Sequence, residues 1–315
     1  MRLLVTRPMT DRATRAIADR FDATFRDNIP LSEAEASAAL RDYDAIIPTL
    51  GDAFTAAAFA DAPRCRILAN FGAGFNHIDV KAAKAAGVVV TNTPDVVTDA
   101  TADIAVMLML MTMRRASEGE RILRAGDWTG WNPTQLLGGH LSGRTVGIVG
   151  MGRIGQAIAR RCHFGFGMQV VFFNRSTVTG LDFPARQIPQ LEAMLAEADI
   201  AVLAVPGGPG TRHLIGTPQL AALGPQGYLV NIARGDVVDE AALIEALQSH
   251  AIAGAGLDVY EQEPVVPQGL LDAPNTTLLP HLGTATDDTR TAMGLRALDN
   301  LVAFAEGRAP HDQVN

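Results

Sequence analysis

Along this chain, short runs of apolar residues alternate with longer stretches in which apolar positions recur every three or four residues. The early runs are "RLLV" from Arg2, "AIIPT" from Ala45, "RILAN" from Arg66 and "VVVTN" from Val88. Their length and β-branched content predict buried strands. The intervening "SEAEASAALRD" predicts an amphipathic helix opened by a capping box, Ser32 with Glu35. Residues 98 to 124 read as one long helix, apolar nearly all round in its first half, which calls for burial within the fold or against another subunit. The alternation then restarts with "TVGIVGMGRIGQAIARR" and continues through "QVVFF", "DIAVLAV", "YLVNI", "IAGAGLDV" and "TTLLP". A final amphipathic helix, "DDTRTAMGLRALDNLVAFAEG", is placed to pack back on the first half. Repeated strand, helix, strand means parallel sheet with helices on both faces, so the chain predicts two α/β units.

Its 315 residues suit two domains of ordinary size. The balance of 26 basic and 34 acidic residues, net −8, argues against nucleic acid or an anionic membrane as partner. The longest apolar run, Ile104 to Met113, is far too short to span a bilayer, and the first residues lack a signal-peptide core. Cys65 and Cys162 allow neither a disulfide framework nor a cysteine-rich metal site, so the expected setting is the reducing cytoplasm, without a metal.

Gly150, Gly152 and Gly155 form Gly-x-Gly-x-x-Gly between the strand "VGIV" and the helix "RIGQAIARR". The first glycine makes the tight turn, the second lets backbone approach a pyrophosphate, and the third lets helix and strand pack closely. In that setting the motif predicts a dinucleotide site. The fingerprint then calls for an acidic residue about twenty positions on, to bind the ribose hydroxyls. Here Asn174 stands nineteen residues beyond Gly155, followed by Arg175 and Ser176. A neutral amide, a guanidinium and a hydroxyl suit a 2′-phosphate where a carboxylate would repel it, which predicts NADP(H) as preferred cofactor and NAD(H) as the weaker one. The plainer alternative is that Arg175 is a solvated turn residue.

Hydride transfer to a carbonyl also needs a proton donor and a substrate anchor. Arg234 in "NIARGDVVDE", Glu263 in "LDVYEQEP" and His281 in "TTLLPHLGT" are candidates, because a guanidinium holds a carboxylate and a carboxylate-backed imidazole donates a proton near neutral pH. Six other histidines compete, and spacing alone does not select His281.

These stretches, with "NFGAGFNHIDV", "TNTPDVVTDATADIAV" and "LLPHLGTAT", resemble the D-isomer-specific 2-hydroxyacid dehydrogenases, in order and over nearly the whole chain. "TNTPDVVTDATADIAVMLML" with "DWTGW" is most similar to their glyoxylate and hydroxypyruvate reductase branch. The resemblance implies that Arg234 binds the substrate carboxylate and carbonyl, that His281 is the catalytic acid and base, and that Glu263 orients it. It puts the backbone amides of Ala73 and Gly74 on the substrate carboxylate and Asp258 near the nicotinamide carboxamide. Arg153, Ile154, Pro206, Thr211 and Ile232 fall on cofactor-contact positions, and Thr101 lies where the domains meet, facing the cofactor. One departure is visible: a histidine common in the loop after the fourth strand is Ala204 here.

The implied architecture is a Rossmann cofactor domain over residues 98–284, inserted into a flavodoxin-like substrate domain of residues 1–97 and 285–315. Both are doubly wound parallel sheets, and the cleft between them is expected to close on binding. The helix near 98–124 is implied to build a homodimer, and Trp131 resembles a Trp that in hydroxypyruvate reductases reaches toward the neighbouring subunit's active site, with ordinary interface packing as the alternative. The expected activity is reduction of a small 2-oxo acid such as glyoxylate or hydroxypyruvate. Two alternatives stay open at this point: a dinucleotide-sensing binding protein like the family's corepressors, and an NAD-linked dehydrogenase of a bulkier acid. A formate dehydrogenase would carry Gln where Glu263 stands.

Overall fold

The computed structural model describes residues 1–315 and divides into two compact units, residues 1–97 with 284–315, and residues 98–283. The first unit begins β1 (Arg2–Val5), α1 (Asp11–Ala18), β2 (Asp22–Phe25), α2 (Glu33–Asp42) and β3 (Ala45–Ile47). It continues with β4 (Ile67–Ala69), α3 (Val80–Ala85) and β5 (Val89–Thr91). The strands are parallel in the order β2-β1-β3-β4-β5, the doubly wound arrangement in which the sheet grows outward from β1 on both sides. Ser32 caps α2 as expected, its hydroxyl accepting the Glu35 amide while Glu35 accepts the Ser32 amide.

The last helix of the chain, Asp287–Ala305, belongs to this same unit and packs on α1. Their crossing is close: a Cβ on Gly294 would lie 2.6 Å from the Ala13 Cβ. Beyond the helix, residues 312–315 run along β5, with the Val314 amide bonded to the Val90 carbonyl. Asp312 holds that tail by a two-bond pair with Arg296 and a bond from Asn300.

The second unit opens with α4 (Thr98–Met113) and α5 (Ala116–Ala125). These replace the single long helix expected over 98–124. The break lies at Arg115, whose φ is +53°, and its cause is a competing bond: the Met113 carbonyl accepts the Gly139 amide at 2.8 Å instead of continuing the helical ladder. Gly138 is pressed so near that a Cβ would meet the Met113 oxygen at 2.2 Å. Only one face of α4 is buried, through Ala102, Ala105, Leu108, Met109 and Met113; Leu110 on the other side is exposed.

The sheet of this unit follows as β6 (Thr145–Val149), α6 (Arg153–Arg160), β7 (Gln169–Phe173), β8 (Arg186–Gln187), α7 (Leu191–Glu197) and β9 (Ile200–Leu203). It ends with α8 (Thr217–Leu223), β10 (Tyr228–Asn231), α9 (Glu240–Gln248), β11 (Gly254–Leu257), α10 (Gln268–Asp272) and β12 (Thr276–Leu278). All seven strands are parallel, ordered β12-β11-β10-β9-β6-β7-β8, which is the dinucleotide-fold order with one strand added. Their carboxyl ends therefore all open on one edge of the sheet. The helices bury the two faces, one in the core around Leu229, Leu243 and Leu257, the other around Ile148, Ile158 and Phe172. The strands β2 and β8 carry no continuous apolar run, and the sequence pattern does not predict them.

Gly147 in the central strand β6 shows how tight this packing is, since a Cβ there would lie 2.6 Å from the Met194 sulfur and 2.8 Å from the Ala198 Cβ. Overpacking of this kind costs about 1 to 3 kcal/mol. Gly147→Val should lower the melting temperature by roughly 2 to 12 °C at neutral pH, and a thermal scan that superimposes on wild type would contradict the packing described.

Candidate active site

Every candidate cofactor residue of the second unit except Thr101 sits at the carboxyl-end edge of its sheet or in the first turn of α6. The Val149 strand end runs into Gly150, whose φ is +98° and whose Cβ, if present, would lie 2.8 Å from the Ala204 oxygen, so glycine is required twice over. Gly155 meets the same turn from the helix side, 2.1 Å from the Gly150 oxygen by the same measure. Gly152 has open space where a Cβ would go. It precedes α6, which Arg153 and Ile154 open, and no side chain caps that helix end. A tight crossing behind, open space in front and uncapped helical amides form a cradle that fits a pyrophosphate.

After β7, the Asn174 side chain ties the next segment to this turn. Its Oδ1 accepts the Met151 amide at 3.3 Å, and its Nδ2 donates to the Ser176 carbonyl and hydroxyl at 3.0 and 3.1 Å. Gln187 on β8 fastens the same loop, donating to the Ser176 carbonyl at 2.9 Å and accepting the Val178 amide at 3.0 Å. Arg175 is exposed on the loop's outside, has no protein acceptor, and its Nη1 lies 3.6 Å from where a Gly210 Cβ would be. Across from it, after β9, the buried Thr211 hydroxyl donates to the Pro206 carbonyl at 2.7 Å and shapes that loop. Ile232 is buried just beyond β10.

His281, Glu263 and Arg234 come to the same edge from the ends of β12, β11 and β10. The His281 Nδ1 and the Glu263 Oε2 are 2.8 Å apart; His213 also meets a carboxylate, Glu261 at 2.9 Å, but it is Glu263 whose charge acts on Arg234, which sets the His281 pair beside that guanidinium. Oε1 of Glu263 accepts the Tyr260 amide at 3.1 Å, so both carboxylate oxygens are fixed. Burial pushes the Glu263 carboxyl up, but the hydrogen bond and charge of His281, with the Tyr260 amide and the Arg234 charge, together outweigh it and the net displacement is downward.

His281 itself adopts φ +54°, a left-handed conformation uncommon for a residue with a side chain. Asp258 holds it there. This carboxylate, 1% exposed, accepts the amides of Leu282 at 2.6 Å and Gly283 at 2.8 Å, and the Asp258 carbonyl accepts the His281 amide at 2.9 Å. Burial raises the Asp258 carboxyl above its ordinary value, partly offset by those amides and by His281. Thr101 of α4 completes the clamp, its hydroxyl donating to the Gly283 carbonyl at 3.2 Å.

Arg234 is largely buried. Its guanidinium makes one protein hydrogen bond, from Nη1 to the Ala233 carbonyl at 2.6 Å, while Nε is buried without an acceptor. Burial pushes its pKa down, and the negative charges of Glu263 and Asp236 oppose that. A desolvated guanidinium with donors to spare is built to receive an anion.

In the first unit, the turn at Ala73 and Gly74 lies after β4. Asn70 donates to the Gly72 and Gly74 carbonyls, both at 3.0 Å, and Asn92 donates to the Ala73 carbonyl at 2.8 Å. With three carbonyls drawn to one side, the Ala73 and Gly74 amides are left without protein acceptors. Sequence reasoning missed Asn70, Asn92, Gln187 and Glu240, a buried carboxylate that accepts the Glu261 amide at 2.8 Å. Only Asn70, two residues before a glycine, carries a local turn signal.

A family model for the NAD binding domain of the D-isomer specific 2-hydroxyacid dehydrogenases matches residues 106–283. The chain is 40% identical to the glyoxylate reductase of Thermococcus onnurineus, spanning all of this chain and 96% of that one. Among solved structures, a protein from Thermus thermophilus superposes with a TM-score of 0.92 at 39% identity, with both chains covered in full. The NADPH-dependent glyoxylate/hydroxypyruvate reductase of Sinorhizobium meliloti, in complex with NADP and malonate, does so with a TM-score of 0.89 at 40% identity, over 99% of this chain and 96% of that one. By its fold, its phosphate turn and this kinship, the chain belongs to the D-isomer-specific 2-hydroxyacid dehydrogenase family, in the glyoxylate and hydroxypyruvate reductase branch.

Proposed function

We propose that this protein is an NADPH-preferring reductase of small 2-oxo acids such as glyoxylate and hydroxypyruvate, yielding the D-2-hydroxy acid. The observation that carries the reading is the His281 and Glu263 pair, 2.8 Å apart, on the sheet edge that also presents Arg234. When bound, the nicotinamide supplies the hydride for the keto carbon. Arg234 holds the substrate carboxylate and polarises the neighbouring carbonyl. In the first unit, the unbonded amides of Ala73 and Gly74 are read as a carboxylate-binding turn. His281 gives its Nε2 proton to the keto oxygen. Glu263, accepting from Nδ1, keeps that tautomer and steadies the imidazolium before transfer.

Residues 98–283 are read as the cofactor domain and residues 1–97 with 284–315 as the substrate domain. Gly150, Gly152, Gly155, Arg153 and Ile154 would hold the pyrophosphate, Pro206, Thr211 and Ile232 would line the rest of the cofactor, and Asp258 and Thr101 would border the nicotinamide. The NADPH preference rests on the neutral Asn174 and on Arg175, an exposed cation without a protein partner. A charge-assisted bond is worth about 1.5 to 3 kcal/mol, so the preference is on the order of tenfold to a hundredfold, with NADH still accepted.

The half-exposed side of α4 supports a homodimer. Met107, Leu110, Met111, Phe164 and Phe166 line an apolar groove of about 820 Å³, and Trp131 is 79% exposed. A second copy of the chain is the covering we assign to them. Two free, buried cysteines accord with a cytoplasmic setting.

Initial rates should be higher with NADPH than with NADH on glyoxylate and hydroxypyruvate, and Arg175→Ala should cut that ratio about tenfold to a hundredfold; a preference for NADH in wild type would refute the cofactor assignment. His281→Ala should lower kcat by about a hundredfold to ten-thousandfold with cofactor binding kept, and a rate near wild type would end the catalytic assignment.

The Glu263 carboxyl also has a pH signature. Because its native pKa lies below the ordinary 4.5, the stability from its pairing is full above that value and is lost as pH falls through the lower native value. The urea stability gap between wild type and Glu263→Gln should therefore narrow from neutral pH to about pH 3.5. A gap that widens on acidification would contradict the pairing.

A further inference from the structure

Glu240 has no part in the mechanism above, yet it is a carboxylate buried to 9% exposure on the first residue of α9. Surface position at a helix start would have satisfied it with water and the helix dipole. Instead its Oε1 accepts the main-chain amide of Glu261, twenty-one residues on, at 2.8 Å. Burial raises its carboxyl, and the charges of Glu261 and Glu263 add to that, so the arrangement is unfavourable in itself.

What it grips is the turn that carries Glu263. Two successive amides of that turn are bound by two different carboxylates: Tyr260 by Glu263 at 3.1 Å, Glu261 by Glu240 at 2.8 Å. Gly235 presses on the same peptide from behind, where a Cβ would lie 1.8 Å from the Tyr260 carbonyl carbon and 2.2 Å from the Glu261 nitrogen. The Glu261 side chain is held outward by His213 at 2.9 Å and Arg212 at 3.3 Å. Gly235 backs the Tyr260–Glu261 peptide and Glu240 takes its N–H, so that peptide is held from two sides; it adjoins the Val259–Tyr260 peptide, whose N–H donates to Glu263.

We propose that Glu240 is a positioning residue for the Glu263 and His281 pair, acting through the Glu261 amide. The inference rests on the reading that Glu263 orients His281 as the proton donor. Misplacement of a catalytic group by about 1 Å costs up to a hundredfold in rate, and Glu240→Ala should lower kcat about tenfold or more with KM for glyoxylate and NADPH changed less than about twofold. Glu240→Gln, whose amide oxygen can still accept from Glu261, should restore most of the activity.

The test uses full-length Glu240→Ala, Glu240→Gln, Glu263→Gln and the double variant Glu240→Ala/Glu263→Gln. The double variant should be no slower than Glu263→Gln alone, because the route through Glu263 is already cut. Losses that multiply, or a Glu240→Ala enzyme with wild-type kcat, would overturn the proposal. Glu263→Gln with wild-type activity would overturn the assumed role of Glu263 and this inference with it, whereas an impaired Glu263→Gln beside a fully active Glu240→Ala overturns this inference alone. Should Glu240→Ala not fold, Glu240→Asp, which keeps the charge and withdraws the oxygen by one methylene, takes its place under the same expectations. Nitrogen-15 and proton spectra of the histidine side chains read the pair without turnover: Glu240→Ala should move the His281 Nδ1 proton signal upfield, and an unchanged signal would overturn the proposal.

Discussion

The candidate site depends most on a single buried carboxylate, Asp258, where the chain leaves β11. Two of its bonds take the amides of Leu282 and Gly283, and its own carbonyl takes the amide of His281. Those three contacts hold residues 281 to 283 against the end of β11, although they follow β12 in sequence, and they impose the left-handed conformation of His281. That conformation is disfavoured for a side-chain-bearing residue, so it persists only because the surroundings over-determine it. Removing the carboxylate would leave two amides near the core unpaired, at about 1 to 3 kcal/mol each, and would free the histidine from its partner.

Around that anchor, the polar groups are arranged so that each buried charge faces a group of opposite sign or a main-chain donor. Arg234 is opposed by Glu263 and Asp236, Glu263 by His281, and Asp258 and Glu240 by amides. The carboxylates and the guanidinium do not respond alike to burial. The carboxyls of Asp258 and Glu240 rise and the Arg234 guanidinium falls, whereas Glu263 falls because its bond to His281, with the Tyr260 amide and the Arg234 charge, outweighs its desolvation. Environments that separate the pKa values of neighbouring groups are those that assign acid and base roles.

Much of this was legible in the chain because parallel strands buried on both faces leave continuous apolar runs. "RLLV", "QVVFF" and "YLVNI" each coincide with a strand or overlap one closely. The polarity of the sheet then dictates that the residues just past β6, β7, β9, β10, β11 and β12 share an edge, which is why Gly150, Asn174, Arg234 and Asp258 group together from the strand pattern alone. The edge strands "DATF" and "RQ" had no such signature, because an edge strand is paired on one side only and tolerates polar residues. The break after Met113 was equally silent, since the bond that causes it comes from Gly139, twenty-six residues away. Asn92, Gln187 and Glu240 were missed for the same reason: their partners lie between nine and twenty-one residues distant, and no period or local turn rule links them.

The loop after β7 shows how a single residue type can serve two ends. A carboxylate at position 174 could accept the Met151 amide as Asn174 does and could accept from the Ser176 hydroxyl, but it has no N–H to give, so the bond to the Ser176 carbonyl would be lost. The amide thus fits the local structure. With the loop closed by Asn174 within and by Gln187 from β8, Arg175 is the residue left facing outward, held on a fixed backbone even though its own side chain makes no bond. In the proposed NADPH reading, a cation so mounted loses less freedom on meeting a phosphate than one on a mobile turn, and preorganisation of that kind raises affinity without adding a contact.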